Sequence, residues 1–304
     1  MCEKSIYFVI LNYNTPEETQ GCICSIRELE SFGYTKRIIL IDNHSLDDSF
    51  MILKKCYADC EDVEIYKMEE NLGFAKANNF GFNLVRTKEE VEFAVFCNSD
   101  VEFIQKEFIH HIQKAFSESQ FYICGPDVFC ESRLKTKYKG HQSPAYPYEW
   151  NKGYVKRYYN YNILKLSKAK GIKGARCRTL RVYSEWFFIK AILYVAHVTI
   201  YKNYRIMRHE NVPVHGSCFV LSKYFLHDEN ILFYPETKFY WEELLLFLRV
   251  KRKNYKVIYN PKMQIKHLQG RATAKMSKES EMFRRENLVN GAKLYLEESE
   301  KIYD

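Results

Sequence analysis

The stretch SIYFVILNYNTPEETQGCICSIRELESF, residues 5–32, decides the fold class. Its first part, SIYFVIL, is rich in β-branched and aromatic side chains, which is typical of a buried strand. Thr15 then stands where a helix N-cap is expected, with Pro16 at the first helical position and two glutamates in the first turn. A strand that runs directly into a helix is the repeating unit of a parallel α/β sheet.

The same alternation continues to about residue 125. The segments RIILID, VEIYKM and FAVFCN read as strands, and helices are expected at about 46–56 and 75–84. After residue 213, GSCFVLSKYFL and YWEELLLFLRVKRKNYKVIYNP restore the pattern. We therefore predict an α/β fold with a doubly wound, mostly parallel sheet, a Rossmann-like nucleotide-binding half, a helical insertion and C-terminal helices.

The charge of this 304-residue chain is distributed unevenly. The formal net charge is +8, yet residues 131–210 hold 18 Lys and Arg against four Asp and Glu, whereas the remainder holds 28 against 34. We expect four parts: an N-terminal α/β half over 1–130, a basic, Tyr-rich helical insertion over 131–212, a second α/β half over 213–270 and a helical tail over 271–304.

Polar residues follow four consecutive predicted strands. They are Asn12 and Asn14, then Asp42 and Asn43, then Asn71 and Gly73, and finally Asn98 and Asp100. In a parallel sheet these strand ends meet at one rim, where such folds bind their ligands. A carboxylate that follows a strand as apolar as FAVFCN costs several kcal/mol to desolvate, so a cation or hydrogen-bond donors should meet Asp100.

Taken together, the motifs resemble the family 2 glycosyltransferases of the GT-A fold, particularly the bacterial rhamnosyltransferase-like branch. The matching pieces, in order, are VILNYNT, IDNHSLDDS, NLGFAKANNFG, NSD, VHGSCFVLS, FYWEELLLFLRV and NPKMQIKH. The resemblance covers roughly residues 5–127 and 215–270. It implies that the half over 1–130 binds the nucleotide-sugar and that the half over 213–270 binds the acceptor and carries the catalytic groups. It implies an inverting glycosyltransferase that moves a sugar from dTDP-rhamnose or a UDP-hexose to a glycan or lipid-linked acceptor in bacterial cell-surface polysaccharide synthesis.

The resemblance also implies which residues hold the donor. Asp42 would accept a hydrogen bond from the uracil or thymine imide. Gly73 would let the backbone pass close to the ligand, and the first amides of the next helix would face the diphosphate. The implied nucleotide-sugar side comprises Asn12, Asn14, Thr15, Asp42, Asn43, Asn71, Gly73, Phe74, Asn78, Asn98, Ser99 and Asp100.

A divalent cation is part of the same expectation. The triplet Asn98-Ser99-Asp100 stands where the family carries an Asp-x-Asp motif that holds Mg²⁺ or Mn²⁺ against the donor phosphates. Asp100 is the expected ligand, and His267 a second ligand or a phosphate partner. Asn98 departs from the acidic first position of the motif.

The acidic pair before the last core strand supplies the expected catalytic groups. By resemblance Glu243 is the general base, and Glu242 is the alternative, because consecutive helical residues point about 100° apart. Residues expected on the acceptor or sugar side are His215, Gly216, Ser217 and Trp241.

Two interpretations of the basic insertion stay open. Lys and Arg interleaved with tyrosines, followed by the apolar run Trp186 to Tyr201, suit peripheral contact with an anionic membrane. A solvated helical subdomain is the alternative. Ten scattered cysteines without zinc-finger spacing favour a reducing cytoplasm, with attachment to the inner face of the cytoplasmic membrane under the first interpretation.

A nucleotidyltransferase and a nucleic-acid-binding protein are the two alternative functions for this sequence. A nucleotidyltransferase acting on sugar phosphates shares a nucleotide-binding sheet and a metal carboxylate, but LNYNTPEE lacks the Gly-rich, basic loop that such enzymes carry after the first strand. A basic nucleic-acid-binding protein would interleave aromatic and cationic residues, yet no recognition motif accompanies them here, so we expect no nucleic acid partner.

Overall fold

The computed structural model describes residues 4–131, 140–170, 176–201, 203–268 and 278–301. One sheet runs through this part of the chain. Its strands are β1 (Ser5–Asn12), β2 (Thr35–Asp42), β3 (Val63–Lys67), β4 (Val91–Asn98), β5 (Val101–Phe103), β6 (Ile123–Phe129), β7 (His209–Glu210), β8 (Cys218–Ser222) and β9 (Val257–His267).

The helices of the described residues lie between and around these strands. They are α1 (Pro16–Arg27), α2 (Ser49–Tyr57), α3 (Gly73–Arg86), α4 (Phe108–Ser119), α5 (Lys152–Ala169), α6 (Arg176–Thr199), α7 (Lys223–Asp228), α8 (Glu242–Arg252) and α9 (Lys278–Glu300). The helical tail expected over 271–304 contains α9, and residues 271–277 and 302–304 lie outside the described ranges.

The strand order is β3-β2-β1-β4-β8-β6-β9-β5, with β7 paired to β9. The four N-terminal strands β1 to β4 are mutually parallel, and β6 pairs with β9 in parallel. By contrast, β8 lies antiparallel between β4 and β6, and the short β5 and β7 pair antiparallel with β9. The mostly parallel, doubly wound sheet expected from the sequence is confirmed.

Alternate side chains of each strand fill two cores, because successive strand residues point to opposite faces. Ile6, Phe8 and Ile10 of β1 pack on one face, with apolar residues of α1, α2 and α4. Tyr7 and Val9 pack on the other face, with residues of α3, α7 and α8. Covering both faces explains why the strand sequences are almost continuously apolar.

The insertion forms a helical layer beside the sheet. Val155 of α5 packs in a third cluster with Leu245 and Leu248 of α8 and with Ala292 and Tyr295 of α9. Along the described helices, none combines the length and hydropathy needed to cross a bilayer.

Gly81 sets how closely α3 lies on the sheet. A methyl group added there would lie 2.6 Å from Val9 Cγ1 and 2.8 Å from Ile41 Cδ1. We expect Gly81→Ala to lower the free energy of unfolding by about 1–3 kcal/mol through overpacking. The matched control is Gly21→Ala in α1, where nothing lies within 4 Å, so alanine should raise stability by about 0.4–1 kcal/mol. Urea denaturation of both variants checks the pair, and equal effects would contradict the close packing.

Candidate active site

A network of hydrogen bonds between buried polar side chains joins the ends of β1 and β2 around Asp42, which is 1% exposed. Its Oδ2 accepts from Asn12 Nδ2 at 2.7 Å and from the Ser45 hydroxyl at 2.6 Å, while Oδ1 accepts from the Ser45 amide at 2.9 Å. Asn12 in turn accepts hydrogen bonds from the hydroxyls of Thr15 and Thr19. The carboxylate therefore organises the rim loop, and its role toward a nucleobase stays a prediction.

Asn14 and Thr15 extend this hydrogen-bond network along the rim. Asn14 donates its amide N–H to Ser45 Oγ at 2.9 Å, and its side-chain oxygen accepts from the Leu46 amide at 2.8 Å. Thr15 precedes α1 as expected, but its hydroxyl lies 2.8 Å from Ser99 Oγ instead of capping the helix. This bond ties the loop after β1 to the Asn98-Ser99-Asp100 turn.

The first backbone amides of α3 are hydrogen-bonded to other residues of the chain. Gly73 has φ of +75°, and a methyl group on it would lie 2.6 Å from the Lys238 carbonyl oxygen. The Gly73 amide donates to Asn71 Oδ1 at 3.0 Å, and the Phe74 amide donates to Lys238 O at 2.9 Å. In the structure these two amides are therefore bonded within the chain, and their contact with a diphosphate stays a prediction. The positive φ and the close approach of the Lys238 carbonyl both favour glycine at position 73, and its contact with a ligand also stays a prediction.

Three asparagines near this helix are held by backbone partners. The Asn43 side chain accepts from the Leu72 amide at 3.0 Å, and its Nδ2 lies 3.2 Å from Asn71 Oδ1. Asn78 is buried and donates to Phe74 O at 2.8 Å, one turn earlier in α3. These residues shape the loop after β3, and their contact with a donor stays a prediction.

Asp100 and His267 meet at the rim, as the sequence led us to expect. Val101 pairs with His267 between β5 and β9, and the Leu268 amide donates to Asp100 O at 2.9 Å. The side chains follow: His267 Nε2 lies 3.2 Å from Asp100 Oδ1, and Nδ1 lies 2.8 Å from Gln142 Oε1. Both side chains are largely buried, Asp100 retaining 12% of its exposure.

The donor set fits a hard divalent cation completed by substrate. His267 Nδ1 lies 2.8 Å from Gln142 Oε1, and a ring that donates Nδ1–H to this oxygen would direct the lone pair of Nε2 at the Asp100 carboxylate and let a cation bind between the two groups. Two neighbouring ligands in an octahedral shell with bonds of about 2.1 Å lie about 3.0 Å apart. In the described residues no group of three or more His, Cys, Asp or Glu side chains surrounds a common point, so phosphate oxygens and water would complete the shell.

The acidic pair opens α8, and its two members lie in different surroundings. Glu242 is 3% exposed, and its Oε1 has no hydrogen-bond partner in the described part of the chain. Glu243 is partly buried and lies over Gly216, since a methyl group there would be 3.6 Å from the Glu243 carboxyl carbon. Gly216 leaves room for this carboxylate. The geometry favours Glu243 as the member available to a substrate.

The backbone before the pair is strained. Tyr240 and Trp241 have φ of +70° and +78°, a region that L-residues with bulky side chains rarely adopt. The Trp241 indole packs on Gly291 of α9, with ring centroids 5.6 Å from both Tyr158 and Tyr295. These contacts fix the entry to α8 from the helical layer, and the role of Trp241 toward an acceptor stays a prediction.

The segment His215-Gly216-Ser217 lies near both Glu243 and His267. The Ser217 amide donates to His215 Nδ1 at 3.2 Å, and Ser217 O accepts from the Asn98 amide at 3.0 Å. The His215 ring centroid lies 6.0 Å from that of His267. Glu243 and His267, which contacts Asp100, therefore both lie near one three-residue turn.

Burial and mutual repulsion alter the acidity of the pair. Burial, followed by the charge of Glu243, raises the pKa of Glu242 to about 8. Burial also raises the pKa of Glu243, against the backbone amides of Glu243 and Gly216, which lower it. Carboxyls with raised pKa values that line a cleft are typical of general acid–base sites.

The raised pKa of Glu242 predicts a pH-dependent stability. Between the ordinary carboxyl pKa of 4.5 and about 8, the folded chain keeps a proton that the unfolded chain releases. The free energy of unfolding should therefore fall by a few kcal/mol, relative to Glu242→Gln, as pH rises across this window. Urea denaturation of both proteins at about pH 5 and pH 8 measures the difference. Parallel pH profiles would contradict it.

Several structurally important residues carry no signal in the sequence. Gln142 lies in the insertion, yet it contacts His267. Asn79 donates to Phe233 O at 3.0 Å and to Glu236 Oε1 at 2.9 Å, which anchors the segment leading to Lys238. All of these contacts join residues more than 100 positions apart, so no local pattern predicts them.

The family model "Glycosyl transferase family 2" matches residues 7–185. The chain belongs to this family. The match covers β1 to β6, α5 and the first part of α6, but it ends before the acidic pair and His267. No curated protein shows a significant match.

Solved structures show the same fold. "Crystal structure of GalNAc-T7 with UDP, GalNAc and Mn2+" aligns with a TM-score of 0.56 and 11% identity over 88% of this chain. "Crystal structure of S. aureus TarS 1-349 in complex with UDP-GlcNAc" aligns with a TM-score of 0.50 and 13% identity over 95% of this chain. This chain covers 44% and 66% of those two chains, respectively.

Proposed function

We propose that this chain transfers a sugar, with inversion, from a nucleoside diphosphate sugar to a hydroxyl of a glycan or lipid-linked acceptor. The observation that carries the proposal is that Glu243 and His267, which contacts Asp100, both lie near the single turn His215-Gly216-Ser217. Family membership supports this class over the nucleotidyltransferase and the nucleic-acid binder. The two fold neighbours are complexes with UDP and with UDP-GlcNAc, respectively.

In the proposed reaction Glu243 acts as the general base. The acceptor hydroxyl gives its proton to the Glu243 carboxylate, and its oxygen forms a bond to the anomeric carbon. The bond from that carbon to the diphosphate oxygen breaks, and the nucleoside diphosphate leaves with the electron pair. A carboxyl whose pKa is raised by burial is a stronger base than a solvated one, which suits this step.

Asp100 and His267 would hold Mg²⁺ or Mn²⁺. When bound, such a cation would offset the negative charge of the leaving diphosphate. Asp100 would supply the charged oxygen, and Gln142 Oε1, 2.8 Å from Nδ1, would accept its proton and so leave Nε2 available. Asn98 would contact the sugar or ribose.

For the donor, dTDP-rhamnose and UDP-hexoses are the candidates, with Asp42 toward the base. The proposed setting is cell-surface polysaccharide synthesis at the inner face of a bacterial cytoplasmic membrane. Its support is the resemblance of the rim motifs and the basic insertion.

A thermal-shift screen of UDP- and dTDP-sugars, with and without Mn²⁺, tests the proposal. A donor at 100 times its Kd should stabilise the fold by about 2.7 kcal/mol, and the shift should be larger with the cation. No shift with any sugar nucleotide, with or without the cation, would contradict the proposal.

A further inference from the structure

The outward face of α6 is apolar and uncovered. Six large side chains on it are exposed, namely Phe187, Phe188, Ile192, Tyr194, Val195 and Val198. Phe187 retains 77% of its exposure and Phe188 66%. At 100° per residue these side chains cover about 160° of the helix circumference and therefore form one broad stripe, about 17 Å long from first to last.

The opposite side of α6 explains why the helix sits where it does. Trp186 and His197 are buried there, and Trp186 packs against Tyr154, Tyr158 and Tyr161 of α5. One side of α6 is thus covered by α5, and the apolar stripe lies on its open side. Soluble proteins seldom expose an apolar stripe of this size unless something binds to it.

Charge indicates which kind of partner covers the stripe. Lys190 stands one turn before Tyr194 on α6, and Nζ of Lys165 of α5 lies 5.8 Å from the centroid of the Tyr183 ring of α6, so both lysines border the exposed stripe. Residues 131–210 as a whole hold 18 Lys and Arg against four Asp and Glu. A second copy of this chain would bring the same positive charge to the contact, whereas an anionic surface would neutralise it.

We propose that the outward face of α6 seats the protein on an anionic phospholipid bilayer. The aromatic and aliphatic side chains enter the boundary between headgroups and acyl chains, and the bordering lysines reach the anionic headgroups. The helix lies in the plane of the bilayer. The inference rests on the proposed function in one respect, because a lipid-linked acceptor would be presented at the same surface.

Vesicle pelleting tests this surface in the absence of nucleotide. Vesicles contain phosphatidylcholine and phosphatidylglycerol in roughly equal amounts, or phosphatidylcholine alone. We expect the native chain to bind the anionic vesicles and to bind them more weakly in high salt. Phe187→Gln with Phe188→Gln should weaken binding at least about 10-fold, because both rings lose their apolar burial.

The matched control is Met51→Gln with Ile104→Gln, which removes two exposed apolar side chains on the sheet domain. This control should bind vesicles like the native chain. Pelleting of the Phe187→Gln, Phe188→Gln variant at native affinity would overturn the proposal. The proposal would also be overturned if light scattering showed that the native chain is a dimer and this variant a monomer, and if neither protein bound vesicles.

The same preparations separate this inference from the proposed function. If the native chain binds vesicles but no sugar nucleotide shifts its melting temperature, the membrane surface stands and the transferase proposal fails. If sugar nucleotides stabilise the native chain but vesicles do not bind it, the membrane surface is overturned and the transferase proposal stands.

Discussion

Replacement of Glu243 by glutamine is expected to lower the turnover of sugar transfer by about 10² to 10⁴-fold, the usual contribution of a general base. Glutamine keeps the shape of the side chain over Gly216 but cannot take the acceptor proton. Donor affinity should stay close to native, since the proposed donor contacts lie around Asp42 and Asp100. Release of nucleoside diphosphate measures turnover, and thermal shift measures donor affinity.

Glu242→Gln is the matched control, with the same substitution one residue earlier. Glu242 is buried at the helix start, whereas Glu243 is partly buried and lies against Gly216. The control should keep turnover near the native value and change mainly the pH dependence of stability. If Glu242→Gln abolished transfer and Glu243→Gln did not, the base would be Glu242.

The second large effect is expected at Asp100. Asp100→Asn keeps the size of the side chain and removes the charge that faces His267. Turnover in Mn²⁺ should fall by about 10²-fold or more, because a cation contributes several kcal/mol to stabilising the leaving group. The cation concentration needed for half-maximal turnover should rise.

Asn98→Asp gives the opposite change at the same turn. It restores an acidic residue at the first position of the Asp-x-Asp pattern and should lower the cation concentration needed for half-maximal turnover. Titrating Mn²⁺ into turnover assays of both variants measures these changes. A native response to Mn²⁺ in Asp100→Asn would exclude Asp100 as a ligand.

Local sequence patterns predicted the fold well. Segments such as SIYFVIL and FAVFCN became β1 and β4 within two residues, because an apolar run that ends in polar residues is a local signal. The helix expected at about 75–84 spans Gly73–Arg86 in the structure, and Pro16 begins α1. The antiparallel insertion of β8 between β4 and β6 was not predicted, since strand direction depends on how the chain returns from the long insertion.

The candidate site was predicted less completely. The meeting of Asp100 with His267 was expected, and β5 and β9 bring these residues to within 3.2 Å. The hydrogen bond from the Phe74 amide of α3 to Lys238 O was not expected, because it joins residues 164 positions apart. Sequence patterns report which residues reach the rim, but only tertiary packing determines which of them the chain itself uses.

The rim residues therefore fall into two groups. Asn12, Asp42, Asn43 and Asn78 are buried and bonded within the chain, so the structure gives each a framework role. Glu243, Asp100 and His267 surround the turn His215-Gly216-Ser217 and carry the proposed chemistry. Substitutions in the first group should therefore lower stability together with activity, whereas those in the second should lower activity alone.

Anomalous diffraction from a crystal of this protein with Mn²⁺ and UDP tests the central claim most directly. The account predicts a manganese peak about 2.0–2.3 Å from an Asp100 carboxylate oxygen and from His267 Nε2, with the diphosphate oxygens completing its shell. A manganese–diphosphate pair bound elsewhere, with Asp100 and His267 still in direct contact, would contradict the account.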